Sequence, residues 1–407
     1  MEKIKIINDP VYGFIKIPGD IIFRLIGHPY FQRLRRIKQL GLTHLVYPGA
    51  QHTRFHHALG ALHLMGVAVE SLKAKGVEIS PDEAEAVSIA ILLHDIGHGP
   101  FSHALEKVFV EGLAHEEISV QFMNRMNDEF GSALTTAIAI FEDKYPKKFL
   151  HQLVSSQLDI DRLDYLRRDS FFTGVYEGTI GSDRIINMMN VKGDALVIEA
   201  KGVYSIEKFL LARRFMYWQV YLHKTSVSAE QLLLKIMIRA KELAAQGVGL
   251  FCTSAFRYFL YNKIDKKAFI SDTKALDTFA LLDDYDIFAA IKEWMGHSDY
   301  ILSALCKKMI NRDLFKIELQ PVRLSKEKIE NMREKVSGKY NIPENLAHYF
   351  VFSGAVENRA YSTASINISI LKNDDSVVDI SKVSGLYELS GLTTSERKYF
   401  ICYPKDL

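Results

Sequence analysis

Three short stretches of this 407-residue chain gather the side chains with which it could do chemistry. HTRFHHALG carries His52, Arg54, His56 and His57; LLHDIGHGPFSHALE carries His94, Asp95, His98, His103 and Glu106; LDIDRLDYLRRD carries Asp159, Asp161, Asp164 and Asp169. Ten of the 14 histidines fall between His28 and His115. Histidine is the commonest metal ligand and the readiest acid or base near neutrality, so the clustering marks a place to look. His94-Asp95 follows an apolar run, and an aspartate delivered into such surroundings needs a partner. A divalent cation is one such partner; a helix-end His-Asp hydrogen bond is the plainer alternative. Two histidines and two carboxylates from separate segments would give mixed nitrogen and oxygen ligation with positions left open. That set suits Mn, Fe, Ni, Co or Zn more naturally than Mg, which prefers oxygen alone. Upstream His57 and downstream Asp161 turn the reading toward a metal, which would make water a nucleophile near neutral pH.

The elements that must position these groups are mostly helices. Ser80-Pro81-Asp82-Glu83 reads as N-cap, first-turn proline and capping-box glutamate. The helix it opens, DEAEAVSIAILLHD, is amphipathic first and apolar by its end, so it carries His94 and Asp95 into the interior. Helices are also predicted from Asp20 to Gly41, from His52 to Lys75, over HEEISVQFMNRMND, SALTTAIAIFED and DIDRLDYLRRD, and as one long helix ending at Gly247. The first 20 residues read as a short strand and turn, and NVKGDALVIEAKGVYS as a β-hairpin. On helices, Arg54 and His57 share a face, as do His103 and Glu106, and as do Asp161, Tyr165 and Asp169. Gln246 to Gly249 is the candidate boundary between residues 1–246, the catalytic part, and residues 247–407. The latter mix helices (DIFAAIKEWM, ILSALCKKMI) with strand-like LFKIELQ, YFVFSG, SINISIL and YFICYP, and are expected to pack on the core and enter oligomer contacts. The class is mainly α, with a small hairpin and a C-terminal α+β region.

Composition narrows the function. Lys+Arg 51 against Asp+Glu 49 leaves a net charge of +2, and 48% of residues are apolar, which excludes a disordered chain and argues against a nucleic-acid coat or a polybasic membrane binder as the main role. No apolar stretch reaches roughly 18 residues, so no membrane span is expected. The start has no signal-peptide pattern, and the three scattered cysteines form no CxxC pair, which fits a reducing cytoplasm.

RFHHALG, HDIGHGPFSH and DRLDYLRRD together resemble the HD-domain metal-dependent phosphohydrolases, in their deoxynucleoside triphosphate triphosphohydrolase branch. The likeness opens at KIINDPVYG, includes FQRLRRIKQLG and YPGAQHTRF, and runs to YLHK. The resemblance implies an HD-domain helical core with metal ligands His57, His94, Asp95 and Asp161. It implies contacts to a triphosphate from Arg54, Arg162 and Tyr165, with Arg213 and Lys224 at its far end. Gln39 and Asp169 fall where the family holds a sugar 3′-hydroxyl, and Tyr221, with Leu40, where the ribose 2′-hydroxyl is excluded. His98, His103 and His115 would line the reaction centre, with Glu106 orienting His103. The implied reaction is attack of metal-activated water on the α-phosphorus of a dNTP, giving deoxynucleoside and inorganic triphosphate. A homo-oligomer, dimer or tetramer, and an activator nucleotide go with it.

Two departures stand out. His56 occupies a position that is usually acidic, which makes it a rival to His57. Gly27 stands where an aspartate reads guanine in some relatives' activator sites, although Lys5, Gln32 and Arg35 persist. Other readings of the same residues are a hydrolase of another phosphoester, such as a nucleoside monophosphate, and a non-catalytic nucleotide sensor. His63, Tyr217 and Trp218 read as core, Asp159 and Asp164 as salt-bridged or solvated, and ERK near residue 397 as surface.

Overall fold

A computed structural model of the chain describes residues 5–358, 367–385 and 396–407. Helices dominate and the sheets are small, as the sequence indicates. The opening segment is an antiparallel hairpin, Lys5–Asp9 against Gly13–Ile17. Asp9 shapes its turn, accepting from the Val11 and Tyr12 N–H groups at 2.9 and 3.0 Å.

The helix predicted from Asp20 to Gly41 is in fact Asp20–Gly27, Pro29–Gln32 and a 3-10 turn at Arg33–Arg36. Pro29 forces His28 into extended backbone (φ −66°, ψ 139°), which ends the first piece. The chain is then extended, so that Gln39 N–H reaches the His52 carbonyl at 3.0 Å and Lys38 bridges Thr53.

The central helix, Arg54–Ala74, packs between Pro81–Leu93 and Ile160–Thr173. Gly60 permits the second contact, because a Cβ there would lie 2.0 Å from Asp164 Oδ1. The predicted capping box forms: Ser80 Oγ accepts from Glu83 N–H at 3.1 Å and Glu83 Oε2 from Ser80 N–H at 2.8 Å. Ile89 to Leu93 are at most 1% exposed, and the turn that follows leaves His94 and Asp95 each 8% exposed. His115–Glu129 backs this turn, where Ser119 Oγ donates to the His94 carbonyl at 2.8 Å and accepts from Gly97 N–H at 2.9 Å.

The hairpin Met189–Lys192/Ala195–Glu199 forms as predicted and gains a parallel neighbour, Ser369–Leu371. The single long helix is instead two, Val203–Met216 and Lys224–Ala245, joined by a π-turn at Tyr217–Tyr221. Leu222 N–H bonds the Tyr217 carbonyl at 2.7 Å, an i to i+5 step that re-aims Tyr221.

Beyond residue 246 the helices Asp284–Trp294 and Tyr300–Ile310 appear, with a three-stranded antiparallel sheet centred on Glu396–Tyr403. This part is tied to the core behind the His94-Asp95 turn. Arg33, 0% exposed, donates to the carbonyls of Leu282 (3.2 Å) and Ile96 (2.8 Å). Asp284 accepts from Lys38 N–H at 2.9 Å and Phe101 N–H at 3.1 Å. Phe101, at φ +47°, is thereby held in left-handed backbone just before His103. Among the described residues no helix is long and apolar enough to cross a membrane.

Candidate active site

The three stretches converge on one point. His57 Nε2 lies 3.1 Å from Asp161 Oδ1, 3.3 Å from His94 Nε2 and 3.8 Å from Asp95 Oδ2. His94 Nε2 lies 3.4 Å from both Asp161 Oδ1 and Asp95 Oδ1. The far side of each ring is anchored: His57 Nδ1–H donates to Asp164 Oδ2 at 2.7 Å, and His94 Nδ1–H to the Ile91 carbonyl at 2.6 Å. With the ring protons placed there, both Nε2 lone pairs face each other and two carboxylates, an arrangement that only positive charge satisfies. A nitrogen and oxygen donor set of this kind fits a divalent transition metal. The local field agrees. Burial alone would lower the His57 pKa, but hydrogen bonds to Asp161 and Asp164 raise it to about 10. Asp161 is held well below the usual carboxylate range, against burial, by His57 and His94.

His56 takes no part in this convergence: its Nδ1 accepts from Thr53 N–H at 3.1 Å and caps the helix. Arg54 does, with Nη1 donating to Asp95 Oδ2 at 2.6 Å. His98 Nε2 lies 3.2 Å from Asp95 Oδ1, and its ring stacks on His115 with centroids 3.8 Å apart. Burial, then the Arg54 charge, pushes the His98 pKa well down, so this imidazole carries no extra proton at neutral pH. Glu106 meets His115: its Oε1 accepts from His115 N–H at 2.8 Å and lies 3.0 Å from Nδ1. The reason is that Val110 to Ala114 fold back and start the next helix against Glu106. The His103 side chain lies outside the described residues.

Asp159 and Asp164 are both 0% exposed, which excludes the solvated reading. Asp159 accepts from Arg162 N–H at 2.8 Å and pairs with its guanidinium, so Arg162 arrives already held. Asp164 binds His57 and, through 2.9 and 3.1 Å contacts, Arg168. Its one-turn spacing from Asp161 was the available signal for that role. Ser119 gave none.

Further along the Ile160–Thr173 helix, Asp169 Oδ1 accepts from His52 Nε2–H at 2.7 Å and Oδ2 from Tyr221 OH at 2.8 Å. The Tyr221 ring stands edge-on to Tyr165 at 6.1 Å. Arg213 is buried and donates to Gln157 Oε1 at 3.1 Å; Leu40 is half-buried and Lys224 exposed. Tyr217 and Trp218 are half-buried in the π-turn instead of core, because that turn lies at the surface, where Lys398 sits 3.8 Å over the Trp218 ring. Gln39 Oε1, His52 Nδ1, Arg54 Nε, Arg162 Nε and Arg213 Nε are buried without a hydrogen-bond partner among the described residues. Buried polar atoms are normally paired, so each of these is a group that a polar ligand could satisfy.

Residues 54–169 match the HD domain and residues 180–248 the HD associated region. A solved phosphohydrolase from Bacteroides thetaiotaomicron is 52% identical, with a TM-score of 0.96 over 99% of this chain and 100% of that one. Uncharacterized protein YwfO of Bacillus subtilis is 33% identical over 100% of this chain and 94% of its own. The deoxynucleoside triphosphate triphosphohydrolase SAMHD1 homolog of Dictyostelium discoideum is 33% identical over 58% of this chain, which spans half of its length. Near-complete likeness to a phosphohydrolase, with the His-Asp centre inside the matched region, leads to one conclusion: the chain belongs to the HD-domain phosphohydrolase family and is an enzyme of it.

Proposed function

We propose that the chain hydrolyses deoxynucleoside triphosphates to deoxynucleoside and inorganic triphosphate, at a divalent metal held by His57, His94, Asp95 and Asp161. One observation carries the reading: a single helix serves both ends of such a ligand. Asp161 lies in the His-Asp centre, and Asp169, pinned between His52 and Tyr221, lies on the same face about 12 Å further along the axis. Tyr165 sits between them. A phosphate at one end and a sugar at the other match this spacing, and a triphosphohydrolase is among the relatives.

When bound, the cation, one of Mn, Fe, Ni, Co, Zn or Mg, supplies Lewis-acid charge and lowers the pKa of water. The remaining tasks belong to the chain. Arg54, aligned by Asp95, stabilises charge developing on the phosphate oxygens as water attacks the α-phosphorus. Arg162, Tyr165, Arg213 and Lys224 take the rest of the triphosphate. His98, whose Nε2–H faces Asp95, lines the centre; His115 beside Glu106, with His103, is left to protonate the departing 5′-oxygen. Gln39 and Asp169 hold the 3′-hydroxyl, while Tyr221 and Leu40 close the space at C2′. Residues 1–246 hold this machinery; residues 247–407 brace it and enter a cytoplasmic homo-oligomer, dimer or tetramer, in which an activator nucleotide binds.

The test is turnover of the four dNTPs, their ribonucleotide counterparts and a deoxynucleoside monophosphate, with each metal added in turn. Inorganic triphosphate from dNTPs is the expected product. Orthophosphate from the monophosphate alone would move the chain to monoester hydrolysis, and binding without turnover under every metal would make it a sensor.

A further inference from the structure

We infer that His52 is a positioning residue for the sugar end of the pocket, fixing Asp169 and Gln39 in one frame so that together they read a 3′-hydroxyl. The inference rests on the nucleotide assignment above and adds a residue that assignment leaves without a role.

His52 makes two connections, one by its ring and one by its backbone. The ring is 2% exposed and lies parallel to Phe172, centroids 4.5 Å apart and planes 16° apart, which fixes its orientation. Nε2–H then donates to Asp169 Oδ1 at 2.7 Å, while Tyr221 OH holds Oδ2 at 2.8 Å. A carboxylate gripped at both oxygens does not rotate, yet each oxygen keeps a second lone pair for a ligand. On the backbone side, the His52 carbonyl accepts from Gln39 N–H at 3.0 Å. The same short ladder continues through the Lys38–Thr53 bridge and the bond from Arg54 N–H to the Ile37 carbonyl, also 3.0 Å. Gln39 is therefore registered by the residue whose side chain registers Asp169.

The ligand chemistry follows. Gln39 Oε1 is a buried acceptor without a partner among the described residues, and its amide nitrogen donates. Together with a fixed carboxylate on Asp169, such a donor and acceptor suit a group that both donates and accepts, as a hydroxyl does. His52 points its bonded nitrogen at Asp169 and not at the metal centre, so it acts through Asp169.

The experiment compares dATP with 2′,3′-dideoxy-ATP on the purified full-length enzyme loaded with metal. The unmutated enzyme is expected to favour dATP in kcat/KM by at least about tenfold, the worth of one such hydrogen bond. His52→Ala should bring the ratio toward one, with the loss in KM for dATP and the dideoxy rate nearly unchanged. His52→Gln, which restores an N–H donor, should recover much of the preference, and metal content should stay constant. Phe172→Leu, which loosens the ring, should lower the ratio in the same direction if His52→Ala does not fold. An unchanged ratio in these variants, including a parallel fall for both substrates, overturns the role of His52 alone. No dNTP turnover by the unmutated enzyme would instead sink the nucleotide assignment, and this inference with it.

Discussion

Asp164→Asn is the perturbation that separates the anchoring of the proposed metal centre from its proposed ligands. The side chain is 0% exposed and serves His57 Nδ1–H at 2.7 Å and Arg168 at 2.9 and 3.1 Å. Asparagine keeps the shape but loses the charge, and its NH2 must face a donor, either the imidazole or the guanidinium. Breaking one partner out of a buried ion pair costs about 3–5 kcal/mol, because the remaining charge stays buried. Loss of the group that orients a metal-ligating histidine weakens metal binding by roughly 10–100-fold. Denaturant unfolding measures the first effect and chelator competition the second. If a folded Asp164→Asn enzyme binds metal as tightly as the unmutated one, His57 does not depend on this anchor and the reasoning fails.

The same residue predicts an acid limb. Burial alone would raise its pKa, but Arg168 and the His57 hydrogen bond hold it at about 2, below the usual 3.8. A depressed carboxyl stabilises the fold fully above its unfolded pKa and loses that contribution as pH falls through the folded value. Stability should therefore drop by about 2 kcal/mol between roughly pH 4 and pH 2. The Asp164→Asn enzyme should show a flatter limb over that window.

Three further outcomes are expected. Asp161→Ala and His94→Ala should each lose activity and metal; stoichiometric metal in either purified variant would remove that residue from the ligand set, and His56→Ala should keep metal where His57→Ala loses it. Asp284→Ala should lower kcat with metal content unchanged, since Lys38 and Phe101 lose the acceptor that ties the segment before Gln39 to the segment after His98; unaltered kcat would confine the brace to stability. Tyr221→Ala should erode a dNTP-over-rNTP preference of at least about tenfold, because an unpaired buried hydroxyl costs about 1–3 kcal/mol, while Tyr221→Phe keeps the ring and the preference; equal rates for dATP and ATP in the unmutated enzyme refute the sugar gate.

The parts of this molecule legible in the sequence are those set by short-range physics. The capping box at Ser80, the apolar run that buries His94 and Asp95, and the alternation of the hairpin at residues 189–199 are all local patterns. So are the one-turn and two-turn spacings that put Arg54 beside His57 and Asp161 in line with Asp169. What failed depended on context. Nothing in LARRFMYWQVYLHK marks a π-turn, since it holds neither glycine nor proline. The helix Lys326–Tyr340 went unpredicted among its many charges, although Ile329, Met332, Val336 and Tyr340 recur at helical spacing and pack on the core. Asp284 meets Lys38 across 246 positions of chain, a pairing that no periodicity carries. For Asp159 and Asp164 the salt-bridged reading holds, with Arg162 and Arg168 at i+3 and i+4 as the cations, and only the solvated alternative fell to their burial.

Those buried pairs also explain why a segment remote from the chemistry in sequence belongs to the site. Arg168, 0% exposed, faces Asp164 on one side and Asp9 on the other, at 2.8 Å. Asp9, at the turn of the opening hairpin, Arg168, Asp164 and His57 thus form a chain of alternating partners that ends at the His-Asp centre. Each inner member is satisfied only by both neighbours, so a change at Asp9 leaves Arg168 with one carboxylate and competes for the oxygens that hold His57. The hairpin therefore acts on the orientation of one imidazole, through two buried ion pairs and without touching a ligand.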